Sequence, residues 1–316
     1  MSRSPSKNRR LATEQQRHSM RKLSFAFVLL LAPVESVARA DDTLTPVVVF
    51  DREKGELSAG TGAPKREYMV NAIRAASPSR LYATLEYGER VECFECIPLL
   101  AEKLLSSDSA DTREIAAWWL RRRSFGFGPI MQKMQDVAKN DANPVKRERA
   151  AAALGEFLDP HASDVLRSVA TEDAEASVRV AGLRALGRLN TIKGHSAISA
   201  ALQDKDASVR LTALEQVKRV SFFRDTAAVL PSIADDDARV RRTAAQLAGE
   251  LRLSAAIEPL LGVLMTDESV QVRQAAAIAL GRIGGGEAGA ALSDAKSVEK
   301  DEGVQQAITV AMNMKR

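Results

Sequence analysis

The sequence is poor in the residues that most metal and cofactor sites require. Only 4% of its 316 residues are aromatic, and it contains two cysteines and three histidines. A structural zinc site takes four ligands, mainly Cys and His, whereas His161 and His195, the two histidines after residue 40, belong to no paired motif. The sequence therefore predicts no metal site and no bound cofactor.

A long apolar run is also missing. The apolar run at residues 23–33 (LSFAFVLLLAP) is far shorter than the roughly 20 residues that cross a bilayer. Basic residues precede it, and Ala38-Arg39-Ala40 follows, which is the order of a signal peptide and its cleavage site. We expect residues 1–40 to be removed, with translation starting at Met20, and the mature protein to be periplasmic without stable membrane insertion. The alternative is a retained N-terminal anchor.

The net charge of +4 comes from that leader. Residues 1–40 hold eight basic and two acidic side chains, which leaves 37 basic and 39 acidic residues in the rest of the chain. Because a nucleic-acid partner calls for a basic surface, the mature chain is not expected to bind nucleic acid. Its apolar content is mainly Ala, Leu, Val and Ile, as is typical of closely packed helices.

A block of about 31 residues recurs through the chain. Val-Arg opens an Ala/Leu-rich segment in SVRVAGLRALGRL at 177–189, and QVRQAAAIALGRI at 271–283 is a close copy. The aligned arginines are Arg113, Arg147, Arg179, Arg210, Arg241 and Arg273, at spacings of 34, 32, 31, 31 and 32. A period this regular is the signature of a repeat array.

An acidic residue precedes most of these arginines by six positions. These residues are Asp141, Asp173, Asp204, Asp235 and Asp267. In the turn before a helix, a carboxylate can accept backbone N–H groups or pair with an arginine of a stacked repeat. We interpret the Asp and Arg residues as a structural ladder between repeats rather than as a functional site.

A second amphipathic segment lies upstream of each Val-Arg helix, so that each repeat has two helices. These segments cover 161–171, 194–203, 225–234, 254–265 and 286–296. The V-R-x-x-A-x-x-A-L-G pattern resembles the short HEAT-like repeats of the phycobilisome-lyase-like type. The resemblance implies an all-α solenoid of about seven antiparallel helix pairs over residues 79–316. Residues 41–78 would form a partly flexible N-terminal extension.

Cys93 and Cys96 are the only cysteines, in the segment VECFECIPLL. In an exported protein they form a local disulfide, remain thiols or bind a ligand, and we favour the disulfide. Thioredoxin-like exchange lacks its βαβ context, and haem attachment would require His in place of Ile97.

The segment AAWWLRRRSFGFGP at 116–129 is the most distinctive part of the array. Trp118 and Trp119 point to different helix faces, and Arg121, Arg122 and Arg123 follow them. Aromatic residues beside arginines are favoured at protein-binding hot spots, so these five are candidate partner contacts. The alternative is that one tryptophan fills the junction between repeats and the arginines cap a solvated helix end.

Together these features predict a non-enzymatic protein-binding scaffold or adaptor of the bacterial cell envelope. Hydroxylases of HEAT-like form require repeated His-Glu pairs, and this sequence contains none. Two alternatives remain: a redox-responsive scaffold that uses Cys93 and Cys96, and a lyase-like protein that binds a small molecule. The identity of the protein partner and the oligomeric state are not encoded in any motif.

Overall fold

The computed structural model describes residues 49–51, 56–58, 64–123, 126–221 and 223–314. The predicted leader, with its start at Met20 and its cleavage site, lies outside the described residues. Within the N-terminal extension, strands β1 (Val49–Asp51) and β2 (Glu56–Ser58) pair antiparallel, with Val49 opposite Ser58.

Apart from this hairpin, the regular structure of the described residues is helical. The α-helices are α1 Arg66–Ala75, α2 Pro78–Tyr87, α3 Cys96–Ser106, α4 Ala110–Leu120, α5 Phe127–Asn140, α6 Pro144–Phe157, α7 Ser163–Glu172, α8 Ala176–Leu189, α9 His195–Ala201, α10 Ala207–Arg219, α11 Ala238–Glu250, α12 Ile257–Thr266, α13 Val270–Ile283, α14 Gly285–Val298 and α15 Glu302–Met312. Short 3₁₀ turns at Pro160–Ala162, Ile192–Gly194 and Ser254–Ala256 lead into α7, α9 and α12. None of the helices described has the length and apolar content needed to cross a membrane.

Consecutive helices form pairs, and we call the first of each pair the A helix and the second the B helix. Seven pairs run from α3 to α15, and in one of them the 3₁₀ helix Thr226–Ala234 is the A helix that precedes α11. The B helices stack on one another, as α6 does on α8 and α11 on α13. The expected all-α solenoid of helix pairs is confirmed. An additional pair precedes the seven, because α1 packs on α2 and α3 through the buried Met69 and Ile73. The helical array therefore begins at Arg66, within the region expected to be an extension.

Side-chain caps explain where many B helices begin. Asn143, Asp206 and Asp237 each accept a hydrogen bond from a backbone N–H two residues later, at 2.8–2.9 Å. Pro144 occupies the first turn of α6, where no N–H donor is needed. The polar turn before each Val-Arg segment thus sets the start of a B helix.

The Leu-Gly of the repeat motif is required by the stacking of B helices. A Cβ atom on Gly155 would lie 2.8 Å from Cα of Ala185, and one on Gly249 would lie 2.7 Å from Cα of Ala279. Glycine on one B helix and alanine on the next therefore allow the two backbones to approach closely. This contact selects the small residues that make the repeat recognisable in the sequence.

One A segment differs from the expected α-helix. Thr226–Ala234 forms a 3₁₀ helix with Pro231 inside it. Proline has no N–H to donate and clashes with the preceding turn of an α-helix, so the tighter geometry replaces it. Val229 and Ile233 are still buried, and the segment fills the place of an A helix.

Candidate functional site

Three side chains form a partly exposed cluster at the N-terminal end of the B-helix layer. The ring of Trp118 on α4 lies 5.4 Å from that of Tyr82 on α2, at an interplanar angle of 41°. The guanidinium carbon of Arg122 lies 4.5 Å from the centre of the Trp118 ring, within cation–π range. Arg122 also pairs with Glu89 at 3.3 Å, Nη1 to Oε1. We call Tyr82, Trp118 and Arg122 the aromatic–arginine cluster.

The polar groups of the aromatic–arginine cluster are held by neighbouring carboxylates, while its side chains stay partly exposed. Tyr82 donates to Glu86 at 3.2 Å, and the negative charge of Glu86 raises the pKa of the phenol, which therefore stays protonated. Tyr82 is 41% exposed and Trp118 is half-buried. The cluster thus offers two aromatic rings and one cation to a partner.

Trp119 and Arg123, two of the five predicted partner contacts, are buried instead. Trp119 is fully buried, and Arg123 lies over its ring at 3.9 Å. Arg123 donates to the carbonyl oxygens of Glu89 at 2.5 Å and Val91 at 3.3 Å. The expectation that these two residues contact a partner is wrong, because Trp119 lies on the core side of α4, about 100° around the helix from Trp118, and Arg123, beyond the end of α4, folds back over the Trp119 ring.

Arg121 joins two repeats. Its Nη1 donates to the carbonyl oxygen of Glu156 at 2.9 Å, near the C-terminal end of α6. There it satisfies one of the carbonyl groups that a helix end leaves without an internal partner. Of the five predicted contacts, Trp118 and Arg122 are thus the two available to a partner, and each of the other three has a structural contact.

The cysteines form a disulfide in the loop that Arg123 holds. Cys93 and Cys96 are joined at an S–S distance of 2.02 Å, and both residues are buried. Cys96 is the first residue of α3, so the bridge fixes the start of that helix. Between the cysteines, Phe94 is 60% exposed. Phe94 was not among the site residues predicted from the sequence, although its position between the two cysteines could have indicated it.

The Asp and Arg residues of the repeats form the inter-repeat ladder. In each rung the arginine donates through Nε and Nη2 to a carboxylate of the next repeat, and through Nη1 to a carbonyl of its own repeat. The pairs and their Nε–O distances are Arg147–Asp173 2.7 Å, Arg179–Asp204 2.7 Å, Arg210–Asp235 2.6 Å, Arg241–Asp267 2.6 Å and Arg273–Glu299 2.9 Å.

The last rung uses a residue that sequence reasoning missed. Glu299 replaces aspartate six positions before Gln305, the position that holds arginine in the other repeats. Gln305 keeps the contact within the repeat, donating to the Glu299 carbonyl at 2.6 Å. Glu299 could have been identified from the sequence, because it has the same spacing of six residues as the other acidic residues of the ladder.

Between α4 and α6 the linkage has the opposite direction, because an arginine of the later repeat contacts acceptors of the earlier one. Among the described hydrogen bonds and ion pairs, Arg113 and Asp141 are not partners, and their separation of 28 residues exceeds the 25 or 26 of the rungs; Arg113 donates to the carbonyl oxygens of Ser107 at 2.7 Å and Asp108 at 3.0 Å. Arg149 instead reaches back to Asp108 at 2.7 Å and to the Leu105 carbonyl at 2.9 Å. The first two helix pairs, which carry the aromatic–arginine cluster, are thus joined to the rest by a different linkage.

A second candidate surface is the row of exposed positions along the B helices. Glu148, Arg184, Glu215 and Gln246 lie on this face. Between α11 and α13 it forms a groove of about 480 Å³ lined by Arg242, Gln246, Glu250, Gln271, Gln274, Ala275, Ile278, Ala279 and Arg282. Within the described residues, no group of three His, Cys, Asp or Glu side chains is arranged to hold a metal ion.

The stacked helix pairs and their ladder define an α-solenoid. The chain belongs to the HEAT repeats family, whose family model matches residues 131–218 and 226–313. No curated protein matches the sequence. The short HEAT-like resemblance inferred from the Val-Arg motif is therefore confirmed.

Several solved structures are similar to this chain at low sequence identity. YibA of Escherichia coli is 15% identical, with 80% of this chain and 93% of YibA covered and a TM-score of 0.49. An archaeal HEAT-like repeats protein from Thermococcus onnurineus is 15% identical over 69% of this chain and 96% of its own, with a TM-score of 0.46. The CpcE–CpcF complex of phycocyanin lyase from Nostoc is 16% identical over 81% and 96%, with a TM-score of 0.32. All three TM-scores lie below 0.5, so these likenesses assign neither a fold nor a function to this chain.

Proposed function

We propose that this protein is a non-enzymatic scaffold that binds another protein through the aromatic–arginine cluster. The observation that supports this most directly is the exposure of Tyr82, Trp118 and Arg122 together on the B-helix layer. The positions equivalent to Trp118 in later repeats are Ala152, Arg184, Glu215, Gln246 and Ile278. Trp, Tyr and Arg are the residues that dominate binding energy at protein interfaces.

The charge of the B-helix face supports a protein partner over a polyanion. Glu148 and Glu215 alternate with Arg184 and Arg242 along it, so no extended basic surface is present there. Burial raises the pKa of Glu156, while its ion pair with Arg188 acts in the opposite direction. Mixed charges of this kind favour a partner with complementary charges of both signs.

The proposed location is the bacterial cell envelope, on the basis of the signal-peptide pattern at residues 20–40. Cell fractionation with an antibody to the repeat region tests this location. A mature form starting near Asp41 in the periplasmic fraction is expected. Full-length protein confined to the cytoplasm would contradict the proposal.

The disulfide is assigned a structural role rather than a redox one. Both cysteines are buried, so a reductant or partner thiol would have to open the loop to reach them. Reduction of the disulfide should therefore lower the stability of the protein before its thiols can take part in exchange with another thiol.

Affinity capture from envelope extract with the chain from Asp41 onward tests the binding proposal. Trp118→Ala and Arg122→Ala should each lose the captured partner, whereas Gln246→Ala, at the position equivalent to Trp118 in a later repeat, should retain it. Circular dichroism of each variant checks that the helical fold is intact. Equal capture by the Trp118 and Gln246 variants would reject the aromatic–arginine cluster as the binding site.

A further inference from the structure

The loop between α2 and α3, residues 88–95, presents one aromatic side chain to solvent. Phe94 is 60% exposed, although Cys93 and Cys96 on either side of it are buried. The disulfide closes a ring of four residues, and Phe94 projects from that ring. Leaving a large apolar side chain in water is unfavourable by about 25 cal/mol for each Å² exposed. The loop therefore holds Phe94 where contact with a partner would remove this unfavourable exposure to water.

Phe94 is held on a rigid backbone. The disulfide fixes both sides of it, Cys96 begins α3, and Arg123 binds the carbonyl oxygens of Glu89 and Val91 from inside the protein. A backbone that is already fixed loses little conformational entropy on binding, and a phenylalanine side chain has only two rotatable bonds to order. The geometry thus suits an anchor that inserts into a pocket of another protein.

The surroundings of Phe94 are acidic. Glu92 and Glu95 flank it in sequence and are exposed, whereas Glu89 in the same loop is already paired with Arg122. Arg90 is the single basic residue in residues 88–95. A pocket that receives Phe94 would bring its rim close to these carboxylates, so basic side chains there would be complementary.

The loop is continuous with the aromatic–arginine cluster. Arg122 lies over Trp118 and pairs with Glu89, which belongs to the loop. A partner that packs on Trp118 and Arg122 therefore lies beside this loop at Glu89.

We propose that Phe94 is a docking anchor that inserts into an apolar pocket of the protein partner, and that Lys or Arg side chains line the rim of that pocket. This inference rests on the proposed function, because the same partner is taken to contact Trp118. It adds the direction of insertion and the chemistry of the partner's surface.

Site-specific photo-crosslinking in cells tests the two proposals separately. The photoreactive residue p-benzoylphenylalanine is placed at position 94, at position 118, and at position 192 as the control. Ile192 is 78% exposed in the loop of a later repeat, beside Lys193 and without a disulfide. We expect the same protein to be captured from positions 94 and 118 but not from 192.

Mass spectrometry of the crosslinked peptide then locates the contact on the partner. Capture from position 94 in an apolar pocket bordered by Lys or Arg supports the proposal. Capture from 118 without capture from 94, or a contact on an acidic surface, would overturn the anchor and leave the proposed function standing. No capture from either position would overturn both.

Affinity measurements with the captured partner give the size of the effect. Phe94→Ala should weaken binding at least about thirty-fold, as for an interface hot spot, whereas Ile192→Ala should leave it unchanged. Replacing Glu92 and Glu95 by lysine should slow association and reduce its sensitivity to salt. An affinity that is the same for Phe94→Ala and wild type would refute the anchor.

Discussion

Removal of one ladder arginine tests the account of what joins the repeats. Arg179 is almost fully buried, and it donates to both carboxylate oxygens of Asp204 at 2.7 Å. It also donates to the carbonyl oxygens of Asp173 at 2.8 Å and Ala174 at 3.1 Å. Arg179→Ala would leave a nearly buried carboxylate and two carbonyls without these donors.

The expected loss in the free energy of unfolding is about 3–5 kcal/mol, because the remaining charge stays buried without its partner. Asp204 retains a hydrogen bond from the backbone N–H of Asp206 at 2.9 Å, which favours the lower half of that range. Arg179→Lys keeps the charge but cannot form the two-pronged contact, so its loss should be intermediate.

Urea unfolding followed by circular dichroism at about 222 nm, the helical band, measures these differences. The matched control is Arg239→Ala, because Arg239, in the first turn of α11, makes an exposed ion pair with Asp237 of the same repeat. That variant should change stability far less. In a repeat array, a weakened interface also divides the cooperative unit, so Arg179→Ala should broaden or split the transition. A loss for Arg179→Ala no larger than that for Arg239→Ala would refute the ladder as a source of stability.

Three further predictions concern pH, the disulfide and the tryptophan pair. Burial by itself raises the pKa of Asp173, but hydrogen bonds from the Arg147 side chain and from the backbone N–H of Glu175 outweigh burial and lower the pKa. The contribution of Asp173 to stability should be present above its unfolded pKa of about 3.9 and lost at lower pH. The measurement is the unfolding temperature, which should fall on acidification. An unfolding temperature that stays unchanged down to about pH 3 would contradict this prediction. Replacing Cys93 and Cys96 by serine should cost at most about 2 kcal/mol in denaturant unfolding, because the closed loop is short, and a larger loss would show another role for the bridge. Trp119→Ala should cost about 3–5 kcal/mol and Trp118→Ala much less by thermal unfolding; equal losses would contradict the assignment of one core and one surface tryptophan.

The repeat architecture was predictable from the sequence because each of its causes is local or periodic. The polar turn and the arginine recur every 31 or 32 residues between Arg147 and Arg273, with Val before the arginine in four of these five repeats and Leu-Gly in three, and stacking imposes similar contacts in each repeat. The positions of the ladder residues could be counted along the chain, but the carboxylate that each arginine contacts was not predicted. The disulfide was favoured over other states by the spacing of Cys93 and Cys96 and the predicted export.

The candidate site was not predictable to the same degree. The sequence shows Trp118 and Trp119 as neighbours, but only the packing of α4 decides that Trp119 fills the core and Trp118 faces outward. Arg123 reads as part of a basic run, yet it is buried and holds the loop that presents Phe94.

By itself, the sequence determined the all-helical class, the two-helix repeat and the positions of the ladder residues, because these follow from short-range patterns repeated along the chain. Only the tertiary structure decided which residues of the Trp-Arg segment are exposed, where the array begins, and that the ladder changes direction before α6. These features depend on contacts between helices of different repeats, at positions where the sequence departs from its own period.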